Sequence, residues 1–193
     1  MNNTAQRIIL KDKEVQEKVR EIADTIFEQY GRDNSLALAG IYTRGAYLAR
    51  RIHARLEELT LSRIPLGFLD INLYRDDLTT LREQPVIRST DIPYAVAGQR
   101  IVLIDDVIYT GRTVRAALEA LLDFGRPSSV ILAALVDRGW REYPIQPDIT
   151  GMNIETKQDE CIELHLEEVD GHDILLLKPL SQLRHDSDKR KDI

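Results

Sequence analysis

The sequence predicts an α/β fold, a central and mainly parallel sheet flanked by helices. Three observations predict it. Ile101 to Asp105 and Val130 to Val136 are nearly continuous aliphatic runs, the pattern of strands buried on both faces. Between them, Thr113 to Phe124 places Val114, Ala117, Leu118 and Leu121 at helical spacing, and Gly125, Arg126 and Pro127 close the helix. Buried strand, amphipathic helix and buried strand in succession make a right-handed parallel crossover.

The remaining elements follow in chain order. Val15, Val19, Ile22 and Ile26 recur at three- and four-residue spacing and Gly31 follows, so Lys13 to Tyr30 is a helix with one buried face. SLALAG, Ser35 to Gly40, is a short buried strand, IYTRG a loop, and AYLARRIHARLEEL a second helix. In LGFLDINLYR, Leu66 to Arg75, Leu69, Ile71 and Leu73 alternate with Asp70 and Asn72, the period of a half-buried strand. Residues 76–99 are polar, carry prolines from Pro85 onward and keep no period, which suits a working lid. CIELHLEE alternates and DGHD separates it from ILLLK, so a small antiparallel addition is expected at the C-terminal end. The last residues, 184–193, mix both charge signs without a core and form a frayed tail; residues 1–183 make a single domain. There is no internal repeat.

Bulk properties narrow the function classes. A chain of 193 residues buries a real core, and its net charge of −6 excludes a protein that coats nucleic acid by bulk attraction. No apolar run approaches a bilayer span and the first ten residues lack a secretion pattern, so a cytoplasmic protein without membrane association is expected. Cys161 is the single cysteine, and His53, His165, His172 and His185 are scattered without metal spacing; none is given a role. Leu36 to Leu56 carries Arg44, Arg50, Arg51 and Arg55 with no acid, either a solvated helix face or a local basic patch.

The chemistry concentrates in IVLIDDVIYTGRT, Ile101 to Thr113. Asp105 and Asp106 end the strand, where open α/β sheets bind ligands. The amides of Tyr109 to Thr113 then approach a helix N-terminus, which favours an anion, and Gly111 lets backbone come close. Acceptors at one end and donors at the other suit a pentose 5-phosphate, its diol on the acids and its phosphate among the amides. Magnesium could bridge the sugar and a further phosphate. A receiver-like reading competes, with Asp137 as phospho-acceptor and Lys178-Pro179 behind it, but it leaves too little chain for the alternating units.

VLIDDVIYTGRT is similar to the phosphoribosyl pyrophosphate (PRPP) motif of type I phosphoribosyltransferases. In order and spacing, GIYTRGAYLARRI, DINLYRDDL, DFGRPSSVILAALVDRG and REYPIQPDITGMNI resemble the PyrR family of bifunctional pyrimidine operon regulators and uracil phosphoribosyltransferases, from about Leu38 to Asn153. The resemblance implies a type I phosphoribosyltransferase fold with a flexible lid and a C-terminal hood. It implies that uracil and PRPP give UMP and pyrophosphate, with Mg2+ bound alongside PRPP and no side chain assigned as its direct ligand. Asp105 and Asp106 would hold the ribose hydroxyls, and Val107, Ile108, Tyr109, Thr110, Gly111, Arg112 and Thr113 the rest of PRPP, with the 5-phosphate on the last four. Thr43, Arg44, Gly45 and Arg88 would receive pyrophosphate, Arg75 would act beside the reaction, and Asp137, Arg138 and Gly139 would read the base.

The family also binds attenuator mRNA on a basic surface in response to uridine nucleotides, UMP or UTP. That implies a homo-oligomer, dimer or tetramer, with Arg50, Arg51, Arg55 and Arg141 as RNA contacts. This chain departs from the pattern: the usual DRGHRE reads DRGWRE at Trp140, GKN reads GMN at Met152, and Glu21 and Asp24 acidify the first helix. A phosphoribosyltransferase without RNA binding is the alternative.

Overall fold

A computed structural model of the chain describes residues 6–74 and 89–181. The described residues build two sheets. In the larger, β2 (Leu36–Ile41), β3 (Leu66–Leu69), β4 (Arg100–Ile108), β5 (Ser129–Asp137) and β6 (Ile149–Asn153) run parallel in the order β3-β2-β4-β5-β6. The smaller is antiparallel, β1 (Arg7–Lys11), β8 (Ile174–Pro179) and β7 (Glu160–His165), in the order β1-β8-β7. No described helix is long and apolar enough to cross a membrane.

Helices cover both faces of the parallel sheet, as buried aliphatic strands require. On one face α1 (Asp12–Tyr30) and α2 (Arg44–Thr60) place Val19, Ile22, Ile26, Leu48, Ile52 and Leu56 against Leu38, Val102 and Ile104. On the other, α3 (Arg112–Leu122) brings Val114, Ala117 and Leu121 onto Ala39, Ile101 and Leu103. All positions of β2 are buried, and its small residues let α2 lie close: a Cβ on Gly40 would stand 2.7 Å from the Ala49 Cβ.

The chain reverses its direction of crossover between β2 and β4. From β2 it crosses through α2 to β3 on one side, and from β4 through α3 to β5 on the other. The carboxyl ends of β2 and β4 therefore open a crevice at a topological switch point.

Three expectations need correction. The alternation over Leu66 to Arg75 does not give one strand: β3 stops at Leu69 and a 3-10 turn occupies Asn72–Tyr74. Asp70 is the cause, since its Oδ1 accepts the Asn72 N–H at 2.9 Å and turns the chain, leaving Leu73 78% exposed. The span 76–99 is not a lid throughout. Residues 76–88 lie outside the described residues, but Asp91 exchanges backbone hydrogen bonds of 2.7 and 2.9 Å with Phe68, Tyr94 donates its hydroxyl to the Leu38 carbonyl, and Val96 is fully buried. The C-terminal addition is antiparallel as expected, but it takes a third strand, β1, from the chain's beginning.

This hood is tied to the main sheet by charge. Between β7 and β8 the turn α4 (Glu167–Asp170) presents acids to α2, and Arg51 binds Glu168 at 2.6 Å and Asp173 at 2.5 Å. Burial alone would raise the Asp173 carboxyl, but Arg51 and the Glu167 N–H hold it below the ordinary carboxylate range, and Arg51 does the same for Glu168. Arg51→Met leaves the Asp173 carboxylate, 3% exposed, without its cation. It is expected to lower the unfolding free energy in urea by about 2 kcal/mol at neutral pH. A depressed folded pKa stabilises above the unfolded value and fades as pH falls through the folded one. The gap between variant and wild type should therefore narrow below about pH 4.

Candidate active site

The acid pair sits on β4, which runs on past Asp105 and Asp106 to Ile108, paired throughout with β5. Asp105 is 4% exposed and its Oδ1 turns back to accept the Asp106 N–H at 3.0 Å. Asp106 is partly buried. Burial pushes its pKa up, while the Val107 N–H, the Asp105 side chain and the Arg44 charge oppose the rise. The structure thus brings both acids and Arg44 into one electrostatic unit.

Beyond Ile108 the loop makes its turn at Gly111, whose φ of 92° is a left-handed conformation that only glycine adopts without strain. The loop carbonyls face the segment after β5: Thr110 O accepts the Glu142 and Tyr143 amides at 2.9 and 3.0 Å, and Tyr109 O accepts Arg141 Nη1 at 2.8 Å. With those carbonyls occupied, the amides at the start of α3, which have no intrahelical partner, border a cavity of about 270 Å³ lined by Asp105 and by Val107 through Val114. Donors and an acid share one recess. The Arg112 guanidinium pairs with Glu142 at 2.6 Å, and the Arg112 backbone N–H donates to the Thr110 Oγ1 at 3.4 Å.

From β2 the chain passes through the cis Tyr42–Thr43 peptide into α2. Gly45 lies directly on the end of β4: a Cβ there would stand 2.7 Å from the Ile104 carbonyl and 3.1 Å from the Asp105 Cα. The same approach sets Arg44 between Asp106 and the hood, where its Nη2 reaches both oxygens of Asp170 at 3.2 Å. Burial would raise Asp170, but the Leu166 N–H and Arg44 hold it below the ordinary range.

Asp137 ends β5, and Arg138 and Gly139 follow it, with the Arg138 N–H donating to the Ile108 carbonyl at 2.9 Å. The Asp137 Oδ1 accepts the Gly139 N–H at 2.8 Å and pairs with Arg141 at 2.7 Å. Arg138 is buried and engaged with the hood, through Nε to Thr156 Oγ1 at 2.9 Å and Nη2 to the Glu160 carbonyl at 2.5 Å, and it stacks 3.8 Å over the Tyr109 ring. A Cβ on Gly139 would meet no atom within 4 Å.

Two residues expected here, Arg75 and Arg88, lie outside the described residues. Of the four arginines expected at RNA, three lie on α2, where Arg51 and Arg55 border one cavity with Arg20, and Arg141 lies on a separate segment after β5. Arg50 lies 4.6 Å over the Phe68 ring, Arg51 is held by Glu168 and Asp173, Arg55 by Asp24 at 3.0 Å, and Arg141 fastens the loop after β4 through the Tyr109 carbonyl. Trp140 reaches across to the segment between β6 and β7, its Nε1 donating to the Thr156 carbonyl at 3.0 Å. Sequence reasoning missed Asp170, Tyr109 against Arg138, and the Glu142–Tyr143 strap. The nearest available signal was the seven-residue spacing of Arg44 and Arg51, which puts two cations on one helix face, opposite the acids of LEEVDGHD.

Similarity to known proteins agrees with this geometry. Residues 5–169 match the family described as the phosphoribosyl transferase domain. The solved hypoxanthine phosphoribosyltransferase of Trypanosoma cruzi shares the fold with a TM-score of 0.67 at 17% identity, over 94% of this chain and 95% of that one. Far nearer in sequence are the bifunctional protein PyrR of Deinococcus radiodurans, 48% identical over 88% of this chain and 92% of that protein, and that of Roseiflexus sp., 51% identical over 84% and 89%. The chain belongs to the phosphoribosyltransferases and, within them, to the PyrR family.

Proposed function

We propose that the chain transfers the phosphoribosyl group of PRPP to uracil, releasing pyrophosphate and forming UMP. The observation that carries the reading is the meeting, at one switch point, of the acid pair and glycine-turned loop of β4 with Arg44 from the end of β2. The anomeric carbon becomes cationic as pyrophosphate departs, so the reaction needs placed charge more than a strong nucleophile. Asp105 and Asp106 accept hydrogen bonds from the ribose hydroxyls and favour positive charge on the ring. Amides and hydroxyls from Thr110 to Thr113 hold the 5-phosphate, and Arg44, with the backbone of Thr43 and Gly45, takes the charge of the leaving pyrophosphate; Arg75 and Arg88 would add to this anion site. Backbone groups of Asp137, Arg138 and Gly139 read the pyrimidine edge.

Mg2+ fits such a site as a companion of PRPP. No cluster of three or more potential ligand side chains occurs among the described residues, and the two aspartates suit an ion that takes one or two carboxylates and otherwise phosphate and water oxygens. It would supply neutralisation of the departing diphosphate.

Release of pyrophosphate from PRPP, assayed with each nucleobase in turn, tests the proposal. Release that depends on uracil is the expected result. Release driven by hypoxanthine or guanine and not by uracil would overturn the base assignment, and no base-dependent release would overturn the whole reading.

The relatives' name, bifunctional, supports a second activity, and the family resemblance gives its form as UMP- or UTP-dependent binding of attenuator mRNA by a dimer or tetramer. With Arg51, Arg55 and Arg141 engaged in ion pairs and loop contacts, the local support on this chain is Arg50. Binding to a structured leader RNA should strengthen with UMP and weaken steeply with salt; affinity indifferent to both would remove this activity.

A further inference from the structure

Arg44 and Arg51 stand on one face of α2, about two turns apart, and both meet the acidic turn of the hood. The two arginines are used differently. Arg51 commits Nε, Nη1 and Nη2 to Glu168 and Asp173. Arg44 gives Nη2 alone, shared between the oxygens of Asp170, and its buried Nε has no hydrogen-bond partner among the described residues. A guanidinium carries five N–H donors in a fixed fork, so Asp170 orients the group while leaving donors for an anion.

Asp170 is itself fixed. Its Oδ2 accepts the Leu166 N–H at 2.9 Å at the start of α4, and Gly171 ends that turn with a φ of 78°. The carboxylate is therefore presented from the hood in one orientation, opposite the end of β4.

On the assignment of Arg44 to the leaving pyrophosphate, we propose that Asp170 is a positioning residue of the transfer reaction. It holds the Arg44 guanidinium in the plane in which the departing diphosphate is received, and so ties the hood to the anion site. Asp170 makes no contact with the reacting atoms in this role; it acts through Arg44.

Asp170→Asn tests the proposal, because the amide oxygen can still accept the Leu166 N–H while the charge that orients Arg44 is removed. The KM for PRPP and the calorimetric Kd for pyrophosphate are expected to rise about tenfold, with a smaller change in kcat and little change in melting temperature. Asp170→Glu should recover part of the loss. In an Arg44→Gln background, Asp170→Asn should add nothing further.

A lower melting temperature with pyrophosphate affinity unchanged would make Asp170 a structural residue and overturn the proposal. Tighter pyrophosphate binding would overturn it too, marking Asp170 as a competitor for Arg44. If Arg44→Gln alone left pyrophosphate affinity unchanged, the assignment of Arg44 would fall first; Asp170→Asn without effect beside a damaging Arg44→Gln would remove only the present inference.

Discussion

Replacing Asp105 and Asp106 together by asparagine is expected to slow uracil-dependent pyrophosphate release by about 1,000-fold or more, with the fold intact. Asparagine keeps the size of each side chain, and its amide oxygen can still accept the Asp106 N–H that Asp105 Oδ1 takes at 3.0 Å. What disappears is negative charge beside a ring that becomes cationic. The effect on stability should run the other way. Burial raises the Asp106 pKa, so its ionisation at neutral pH opposes folding, and removing two neighbouring carboxylates relieves that cost. The double variant should melt at or above the wild-type temperature, the usual exchange of stability for function. Steady-state assay and thermal melting together check this; near-normal turnover, or a large fall in melting temperature, would contradict it.

Gly45→Ala is expected to damage both folding and activity, although alanine is the better helix former. Propensity alone would favour the change by about 1 kcal/mol in a helix interior, and less in a first turn. Packing opposes it. The added Cβ would stand 2.7 Å from the Ile104 carbonyl and 3.1 Å from the Asp105 Cα, both backbone atoms that cannot swing aside. Overpacking of this kind costs about 1 to 3 kcal/mol, so a net loss of about 1 kcal/mol is expected in urea titration. The functional loss should be larger. Relief of the clash moves the start of α2 away from β4 and carries Arg44 from Asp106, and a displacement on the order of 1 Å in such a site costs about 100-fold. A kcat/KM for PRPP equal to wild type would show that the close approach of α2 to β4 does not serve the reaction.

The parallel core was legible because its signals are local. Ile101 to Asp105, Val130 to Val136 and the helix between them carry their own periods, and β4 and β5 pair along the whole of those runs. The phosphate loop was legible for the same reason, since acids, glycine and helix start follow one another in sequence. Where the reading failed, a tertiary contact or a single side chain overrode the period. Asp70 turned an alternating stretch into a loop, and Phe68 captured Asp91 at the sheet edge, anchoring residues that read as lid. β1 is five residues whose pairing depends on a strand more than 150 positions away, and no local period announces it. The Arg44–Asp170 pair spans 126 positions and was invisible for that reason.

A crystal soaked with ribose 5-phosphate tests the central claim most directly. The ester is predicted to lie with its hydroxyls on Asp105 and Asp106 and its phosphate against the amides of Thr110 to Thr113. A larger cavity, about 330 Å³, lies between α1 and α2 and is bordered by Arg20, Arg51 and Arg55. Density for the ester there, with the β4 loop empty, would contradict the account.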